Sequence, residues 1–425
     1  MKKRIISFAL AIVMLFTLPI NYQFTSAVSD DNIIDEQTAN VLAVYFIAQS
    51  SKTDNSTKWS FEEITDTIYT PLYDKNNNVV AHCFDIISDE DNSGYVIISA
   101  SKKTNLILEF ADEGKSIYLK KNDEGFKTIY NNSFDVYFER KGLMRSLFND
   151  TVISRNNEEV NKSELNDALY ENTECEIANR DLLNTVSSLI KNQPQTRAGF
   201  TYDRIVDNVS YLQTYYSNRT YTGNYWKTLE SRIGHYTMNY PGTEEVLNEG
   251  HCGITAICNV LMSWRNICCS KFPSQYKYLF NTTALVANTN DWFFAYYHEN
   301  NLPAGYHTGI YGADIHKIAN ATFKHYGYNN SLCQYVPNVN WTVMKNEIDY
   351  DRPFVLLVQE GNYTSYGNHF VAVYAYSSFI SPQNDEVRFL KAANGWDSYG
   401  VYIDYNSFVH YGGQARAEMA KILPY

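Results

Sequence analysis

The sequence predicts an α+β protein in which one buried helix packs against an antiparallel sheet. Residues 252–264 are apolar on nearly every side, which is typical of a helix inside a domain rather than on its surface. Short strand-type runs separated by turn-forming residues fill the first third of the chain, and further strand-type runs follow the helix. Helices that come before antiparallel strands in the C-terminal half favour the α+β class.

The size and composition of the chain indicate a globular protein of two domains. Its 425 residues are too many for one compact core, and 44% of them are hydrophobic while 19% are charged. The net charge of −12 gives no electrostatic support to nucleic-acid binding. Seven cysteines cannot all pair with one another, and the absence of a Cys-x-x-Cys spacing argues against structural zinc. We expect neither a metal nor a cofactor.

The first 27 residues have the three parts of a secretory signal. Lys2-Lys3-Arg4 is the positively charged start, Ile5 to Pro19 is the apolar core, and Thr25-Ser26-Ala27 is a cleavage site of small residues. No other run approaches the roughly 20 apolar residues that a membrane span requires. The sequence therefore predicts a secreted, extracellular protein without a membrane span.

Residues 28–197 are predicted to form a separate N-terminal domain. A short amphipathic helix is expected from Asp35 to Gln49. An antiparallel meander follows, with turn formers between its five expected strands, which are Thr67–Tyr73, Val79–Ile87, Tyr95–Ala100, Leu106–Phe110 and Ser116–Leu119. Helices are expected around Phe134–Phe148 and Asn161–Leu189.

The stretch 192–199 predicts an exposed linker that is open to proteolysis. It contains Pro194, followed by small and polar residues and Arg197. We place the domain boundary after Arg197, so that residues 198–425 form the C-terminal domain. Its expected elements after the buried helix are helices Asn288–Asn301 and Ala313–Tyr326 and strands Pro353–Val358, Asn368–Tyr376, Val387–Ala393 and Gly400–Ile403.

Cys252 lies at the first turn of the predicted buried helix, with Gly250 two residues before it and Gly253 directly after it. The free backbone N–H groups and the positive end of the helix dipole favour a thiolate there, so we expect this thiol to be more acidic than an ordinary one. Two interpretations fit the position. Cys252 is either a nucleophile or a small buried core residue.

Two later residues favour the nucleophile. His369 opens a strand-type run, and Asn394 ends another in the sequence Asn394-Gly395-Trp396. A thiol on a central helix, facing a histidine and an amide on adjacent strands, is the arrangement that acyl transfer by a cysteine requires.

These residues resemble the papain-like cysteine peptidases, and among them the secreted bacterial streptopain family. The matching features are Cys252 followed by an apolar helix that ends in Trp264, the His369 strand, and Asn394-Gly395-Trp396 for the Asn-x-Trp of the family. In the N-terminal half, residues 94–103 are similar to part of the inhibitory propeptide of that family. The resemblance implies a two-lobed peptidase domain over 198–425, preceded by a propeptide over 28–197 that inhibits it.

The resemblance also implies a role for each site residue. Cys252 forms a thioacyl-enzyme, His369 acts as acid and base, Asn394 orients the imidazole, and Trp396 shields their hydrogen bond from water. The family generally places a glutamine shortly before the nucleophile to bind the oxyanion, but none occurs among the six residues before Cys252. Asn248 is the candidate in its place, beside the backbone N–H of Cys252. The expected partners are protein or peptide substrates and the protein's own propeptide.

Two alternatives remain from the sequence. A hydrolase that cuts peptidoglycan cross-bridges has the same order of cysteine, histidine and polar residue. A papain-like module without activity, used for binding, is the other.

Overall fold

A computed structural model gives the structure of the chain. It describes residues 32–53, 57–89, 91–133, 135–147, 152–154, 173–191, 201–216, 222–230, 232–241, 243, 252–290, 292–295, 308–359, 369–380, 386–405 and 416–424. The predicted signal 1–27, the predicted linker 192–199 and Asn248 lie outside these residues. None of the helices within the described part has the length and apolar character needed to cross a membrane.

The N-terminal half begins with a helix and continues as a series of strands, as predicted. The helices are α1 (Glu36–Thr53), α2 (Ile117–Asp123) and α3 (Thr173–Lys191), with a short 3-10 turn at Phe61–Glu63. The strands are β1 (Ile64–Tyr73), β2 (Val79–Ser88), β3 (Asp91–Ser99), β4 (Ile107–Ala111), β5 (Lys127–Asn132), β6 (Asp135–Arg140), β7 (Leu143–Ser146) and β8 (Val152–Ser154). Strands β1 to β4 pair in chain order and antiparallel, which confirms the meander.

Two predictions in this half were wrong. The segment Ser116–Leu119 was expected to be a strand, but Ser116 is the N-cap of α2, and its side chain accepts a hydrogen bond from the backbone N–H of Leu119 at 3.0 Å. The expected helix at Phe134–Phe148 is instead the hairpin of β6 and β7, because the chain turns at Lys141 and Gly142, both with positive φ. The described part of the other expected helix is α3.

The C-terminal half contains five helices and nine strands among the described residues. The helices are α4 (Tyr202–Tyr215), α5 (Cys252–Ile267), α6 (Tyr276–Thr289), α7 (Gly312–His325) and α8 (Trp341–Asp349). The strands are β9 (Thr222–Thr228), β10 (Phe293–Ala295), β11 (Thr308–Ile310), β12 (Gln334–Val336), β13 (Phe354–Gln359), β14 (His369–Ile380), β15 (Glu386–Ala393), β16 (Val401–Asp404) and β17 (Arg416–Lys421). The prediction of a helix over 288–301 was wrong, because residues 293–295 form strand β10.

One mixed sheet of fifteen strands runs through both halves. The order of fourteen of these strands is β12-β17-β13-β14-β15-β16-β4-β3-β2-β1-β5-β6-β7-β8. The fifteenth strand, β9, stands outside this order and pairs with β14. The halves join where β16 pairs antiparallel with β4, with Tyr402 opposite Phe110 and Ile403 opposite Glu109. All the described pairs are antiparallel except β1 with β5. The α+β class predicted from the sequence is confirmed, while the two-lobed papain-like division stays a prediction.

Apolar side chains also join the two halves, in addition to the pairing of β16 with β4. The ring of Phe110 stacks on Tyr402 with centroids 4.4 Å apart and meets Phe389 edge to face at 5.0 Å. From α1, Phe46 meets Phe379 at 5.6 Å. Helix α4, although it follows the predicted linker, packs against α1 and α3 of the N-terminal half.

Candidate active site

Helix α5 carries Cys252 as its first residue and is buried along most of its length. Every residue from Gly253 to Trp264 is buried, as the apolar run predicted. The helix packs against β13 and β14, and the indole N–H of Trp264 donates to the carbonyl of Ile422 at 2.7 Å. A buried helix fixed at its far end holds Cys252 against the start of β14.

Gly253 allows the start of α5 to come close to β14. A Cβ atom at this position would lie 3.2 Å from Ile310 and 3.4 Å from both Ile315 and Phe370. The contact with Ile310 is tighter than most Cβ atoms make, so the Ile310 side chain would have to move by a few tenths of an ångström. The glycine after Cys252 therefore serves close packing.

The Cys252 thiol lies against the backbone of β14 in a half-buried position. Burial raises the pKa of this thiol, while the backbone N–H groups of Phe370, Gly253 and Cys252 itself lower it in part. The net shift is upward, so the acidic thiol expected from the helix terminus is not found. Loss of water from the thiolate outweighs the N–H groups in this state of the protein.

His369 opens β14 and is buried, with 1% of its surface exposed. Its Nε2 lies 2.8 Å from the main-chain carbonyl oxygen of Asn394. A carbonyl only accepts, so Nε2 carries the proton and the basic lone pair of the neutral ring is on Nδ1. Burial lowers the pKa of His369 to about 4, against the opposing effect of the Asn394 carbonyl. The imidazole is therefore neutral at pH 7.

The Asn394 carboxamide closes a turn rather than contacting His369. Its Oδ1 accepts from the backbone N–H groups of Trp396 at 3.0 Å and Asp397 at 3.1 Å, and its Nδ2 donates to Asp397 Oδ2 at 3.1 Å. The structure thus brings Asn394 to His369 through the main chain. This differs from the side-chain contact that the resemblance implied.

Gly395 and Trp396 complete the turn. Gly395 has φ of +84°, which favours glycine, and its carbonyl accepts from the backbone N–H of Met238 at 2.7 Å. The Trp396 ring stacks on the imidazole of His369, with centroids 5.8 Å apart and planes at 22°. The indole therefore covers one face of the imidazole.

A segment that sequence reasoning missed connects the helix to this turn. The Asn259 side chain, buried on α5, accepts from the backbone N–H of Tyr236 at 3.0 Å and donates to its carbonyl at 3.1 Å. Two residues later, Met238 pairs with Gly395. Residues 232–241 thus connect α5 with the loop that positions His369, and a single buried asparagine in an apolar helix was the signal available in the sequence.

The N-terminal half closes the cavity beside His369. The C-terminal half contributes His369, Asn394, Trp396 and Asp397 to its lining, and the N-terminal half contributes Tyr95, Glu109, Ile117, Tyr118, Ser133 and Leu147. Tyr95 and Glu109 come from the meander, Ile117 and Tyr118 come from α2, and Ser133 and Leu147 directly follow the ends of β5 and β7. The His369 side of the candidate site is therefore covered by the segment that the sequence predicts to be inhibitory.

Glu109 brings a buried carboxyl group into this cavity. It accepts hydrogen bonds from the hydroxyls of Tyr95 at 2.5 Å and Tyr118 at 3.2 Å. Burial raises its pKa to about 7, although hydrogen bonds from Ser133, Tyr95 and Tyr118 lower it in part. Sequence reasoning missed both Glu109 and Asp397, and the Asn-x-x-Asp spacing of a turn was the only available signal for Asp397.

The other predicted site features have simple outcomes. Asn248 lies outside the described residues. All seven cysteines are thiols, so an odd count does not by itself single out Cys252. Within the described residues, no group of three His, Cys, Asp or Glu side chains is arranged to hold a metal ion.

Comparison with known proteins finds distant solved structures and a family that matches part of the chain. No curated protein matches the sequence. The solved structure of a mutant fragment of prointerpain A from Prevotella intermedia is similar at 11% identity, covering 84% of this chain and 98% of that chain, with a TM-score of 0.38. Residues 31–133, which include α1, the meander and α2, match the model of the family described as Spi protease inhibitor, so this part of the chain is similar to that family.

Proposed function

We propose that the protein is a secreted cysteine endopeptidase made as a zymogen. Residues 198–425 form a papain-like peptidase domain, and residues 28–197 form its inhibitory propeptide. The observation that carries this proposal is the position of the Cys252 sulfur. It lies at the start of a buried helix and against the backbone N–H of Phe370, the residue that follows His369.

The chemistry follows from the atoms available. In the active form, the thiol proton of Cys252 passes to Nδ1 of His369, and the thiolate attacks the carbonyl carbon of the scissile peptide bond. The tetrahedral oxyanion is held by the backbone N–H of Cys252, with Asn248 as its side-chain partner. The imidazolium protonates the leaving amine as the C–N bond breaks, which leaves a thioester on Cys252.

Water completes the cycle. His369 removes a proton from the water molecule as it attacks the thioester, and the imidazolium then returns the proton to the departing thiolate. Throughout, the Asn394 carbonyl keeps the proton of Nε2 in place, so that Nδ1 remains the nitrogen that exchanges protons. The Trp396 ring limits the access of water to that hydrogen bond.

The electrostatics of the closed state support latency. Burial raises the pKa of Cys252 and lowers that of His369 to about 4, so thiol and imidazole are both neutral at pH 7. Residues of the N-terminal half supply part of the burial of His369, because they line the cavity beside it. The match of residues 31–133 to a protease inhibitor family supports an inhibitory role for this half. Its removal would return water to the site and favour the thiolate–imidazolium pair.

Covalent labelling tests the proposal. The processed form, defined by N-terminal sequencing of the secreted protein, is treated with an epoxide probe for cysteine peptidases. We expect labelling of Cys252 that is lost in His369→Gln, with Cys268, which is exposed, as the internal control thiol. A Cys252 that stays inert in the processed form would contradict the proposal and favour a binding module. Release of soluble muropeptides without cleavage of denatured casein would favour a peptidoglycan hydrolase.

A further inference from the structure

One charged contact joins the N-terminal half to the turn that positions His369. The Nζ atom of Lys120, on α2, lies 3.6 Å from Oδ1 of Asp397. The carboxylate is 1% exposed and the lysine side chain 43% exposed. Lys120 therefore reaches from the protein surface to a carboxylate in the wall of the candidate site.

Asp397 is bonded to the turn through one oxygen only. Its Oδ2 accepts from the Asn394 carboxamide at 3.1 Å, and its backbone N–H donates to the same side chain. Its Oδ1 is buried, and Lys120 and the Tyr399 hydroxyl, together with the Asn394 carboxamide, lower the pKa of this carboxyl. Among the described residues, Lys120 is the one cation within ion-pair distance of it. A buried carboxylate in this position is costly without a positive partner.

The other groups that face this cavity supply no positive charge. Glu109 on β4 is acidic, and Tyr95 on β3 and Tyr118 on α2 donate their hydroxyls to it. Beside Asp397, the hydroxyl of Tyr399 donates to the carbonyl of Lys115 at 2.8 Å. The one titratable base in the lining is the neutral imidazole of His369.

We propose that Asp397 is a positioning residue for His369 whose counter-ion changes on maturation, from Lys120 in the full chain to the His369 imidazolium once the N-terminal half has left. This inference rests on the proposed peptidase function and adds a regulatory step to it. Loss of the N-terminal half removes α2 and with it Lys120. The imidazole lines the same cavity as Asp397 and is the basic side chain in that lining.

The exchange would couple unmasking of the site to its activation. While Lys120 neutralises Asp397, no electrostatic gain favours protonation of His369. Burial raises the pKa of Asp397, and the Asn394 carboxamide, Lys120 and the Tyr399 hydroxyl lower it in part. Once Lys120 has gone, transfer of the thiol proton from Cys252 to His369 creates an imidazolium, and this imidazolium becomes the positive partner of Asp397. The thiolate–imidazolium pair is then favoured in the processed form only.

Histidine titration in the full chain tests the exchange. The Cys252→Ala background keeps the chain from cleaving itself, and the imidazole of His369 is followed by NMR on protein with isotope-labelled histidine, assigned by its absence in His369→Gln. Three variants are compared. These are Lys120→Met, the double variant Lys120→Met with Asp397→Asn, and Lys121→Met as the matched control, since Lys121 pairs with Glu124 instead.

The expected result is a rise in the pKa of His369 by about one unit in Lys120→Met, because an uncompensated carboxylate then favours the imidazolium. The rise should disappear in the double variant and be absent in Lys121→Met. An unchanged pKa in Lys120→Met, or a rise that persists in the double variant, would overturn the inference. Lys120→Gln repeats the test if Lys120→Met disturbs the signals of the other histidines. None of these readouts uses peptidase activity, so the inference can fail while the proposed function stands.

Discussion

His369 donates its Nε2 proton to the main-chain carbonyl of Asn394, at 2.8 Å, while the Asn394 side chain bonds to its own turn. The orientation of the imidazole thus depends on a peptide group, and the carboxamide acts one step away by keeping that peptide group in place. Loss of the Asn394 side chain should therefore reduce activity less than loss of the Cys252 nucleophile.

We therefore predict a moderate effect for Asn394→Ala. The substitution keeps the carbonyl but removes three hydrogen bonds, which together contribute about 1.5–4.5 kcal/mol to the stability of the turn. We expect about 1.4–2.7 kcal/mol of this to appear as lost transition-state stabilisation, which is a fall of roughly 10- to 100-fold in kcat/KM for a peptide substrate. Ser398→Ala, at an exposed position in the same loop, is the control and should keep full activity. A loss as large as that of Cys252→Ala would show instead that the carboxamide itself is the partner of the imidazole.

The raised pKa of Cys252 predicts slow alkylation of the full chain. Iodoacetamide reacts with the thiolate, and a raised pKa means a smaller thiolate fraction at pH 7, so the rate should keep increasing above the pH at which an ordinary thiol is ionised. After removal of the N-terminal half, labelling of Cys252 at pH 7 should become faster. Mass spectrometry of the Cys252 and Cys268 peptides measures both rates in one sample. Equal rates at Cys252 before and after processing would contradict this account of latency.

Glu109 predicts a specific dependence of stability on pH. Its pKa is raised from about 4.3 in the unfolded chain to about 7 in the folded one, so folding favours the protonated form. The stabilisation from that form is complete below about pH 4 and is lost as the pH rises through 7. Glutamine at this position does not titrate, so Glu109→Gln avoids this loss. The free energy of unfolding of Glu109→Gln minus that of wild type should therefore increase by a few kcal/mol from pH 4 to pH 8.

Urea unfolding of both chains at several pH values measures this difference. Glu113→Gln, in a partly exposed surface ion pair with Lys58, is the control and should track the wild type. The prediction fails if the difference between Glu109→Gln and wild type does not change with pH.

Lys391 connects the two halves through a buried ion pair. Its Nζ lies 3.3 Å from Asp112 of the N-terminal half and 3.0 Å from Glu230, and the side chains of Lys391 and Asp112 are 3% and 0% exposed. Burial lowers the pKa of Lys391, but Tyr402 and the two carboxylates raise it by more than burial lowers it. The net pKa is above that of an ordinary lysine, so Lys391 stays charged. Lys391→Met leaves a buried carboxylate without its cation and should destabilise the full chain by about 3–5 kcal/mol.

Calorimetry or urea unfolding checks the value for Lys391→Met. The matched control is Lys317→Met, which breaks an exposed pair with Asp314 on α7 and should cost less than about 1 kcal/mol. Equal destabilisation by the two substitutions would mean that the buried pair has no special part in joining the halves.

Periodicity predicted the elements whose hydrophobic pattern is strong. The apolar run after Cys252 and the β-branched run after His369 became α5 and β14, because burial on all sides leaves few alternatives for such segments. Ser116–Leu119 became the start of a helix instead of a strand, since capping by Ser116 outweighs the short apolar pattern. A local signal that competes with a weak periodicity is difficult to weigh from sequence alone.

The candidate site was predictable in its residue types but not in its bonding. Cys252 and His369 could be named because their chemistry is distinctive and each begins a strong element. That Asn394 would act through its carbonyl depends on the geometry of a turn, and that Lys120 would meet Asp397 depends on a contact between residues far apart in the chain. The acidity of Cys252 was also misjudged, because burial of the thiol in the folded chain cannot be read from the residues next to it in the sequence.

The central claim is that Cys252 is the nucleophile of a peptidase, and casein hydrolysis by the processed protein tests it most directly. Cys252→Ala should reduce the rate by at least about 10³-fold while leaving the circular dichroism spectrum and thermal unfolding unchanged. Cys258→Ala, which alters a buried thiol further along the same helix, is the control and should keep the catalytic chemistry. Casein hydrolysis at the wild-type rate by purified Cys252→Ala would contradict the claim.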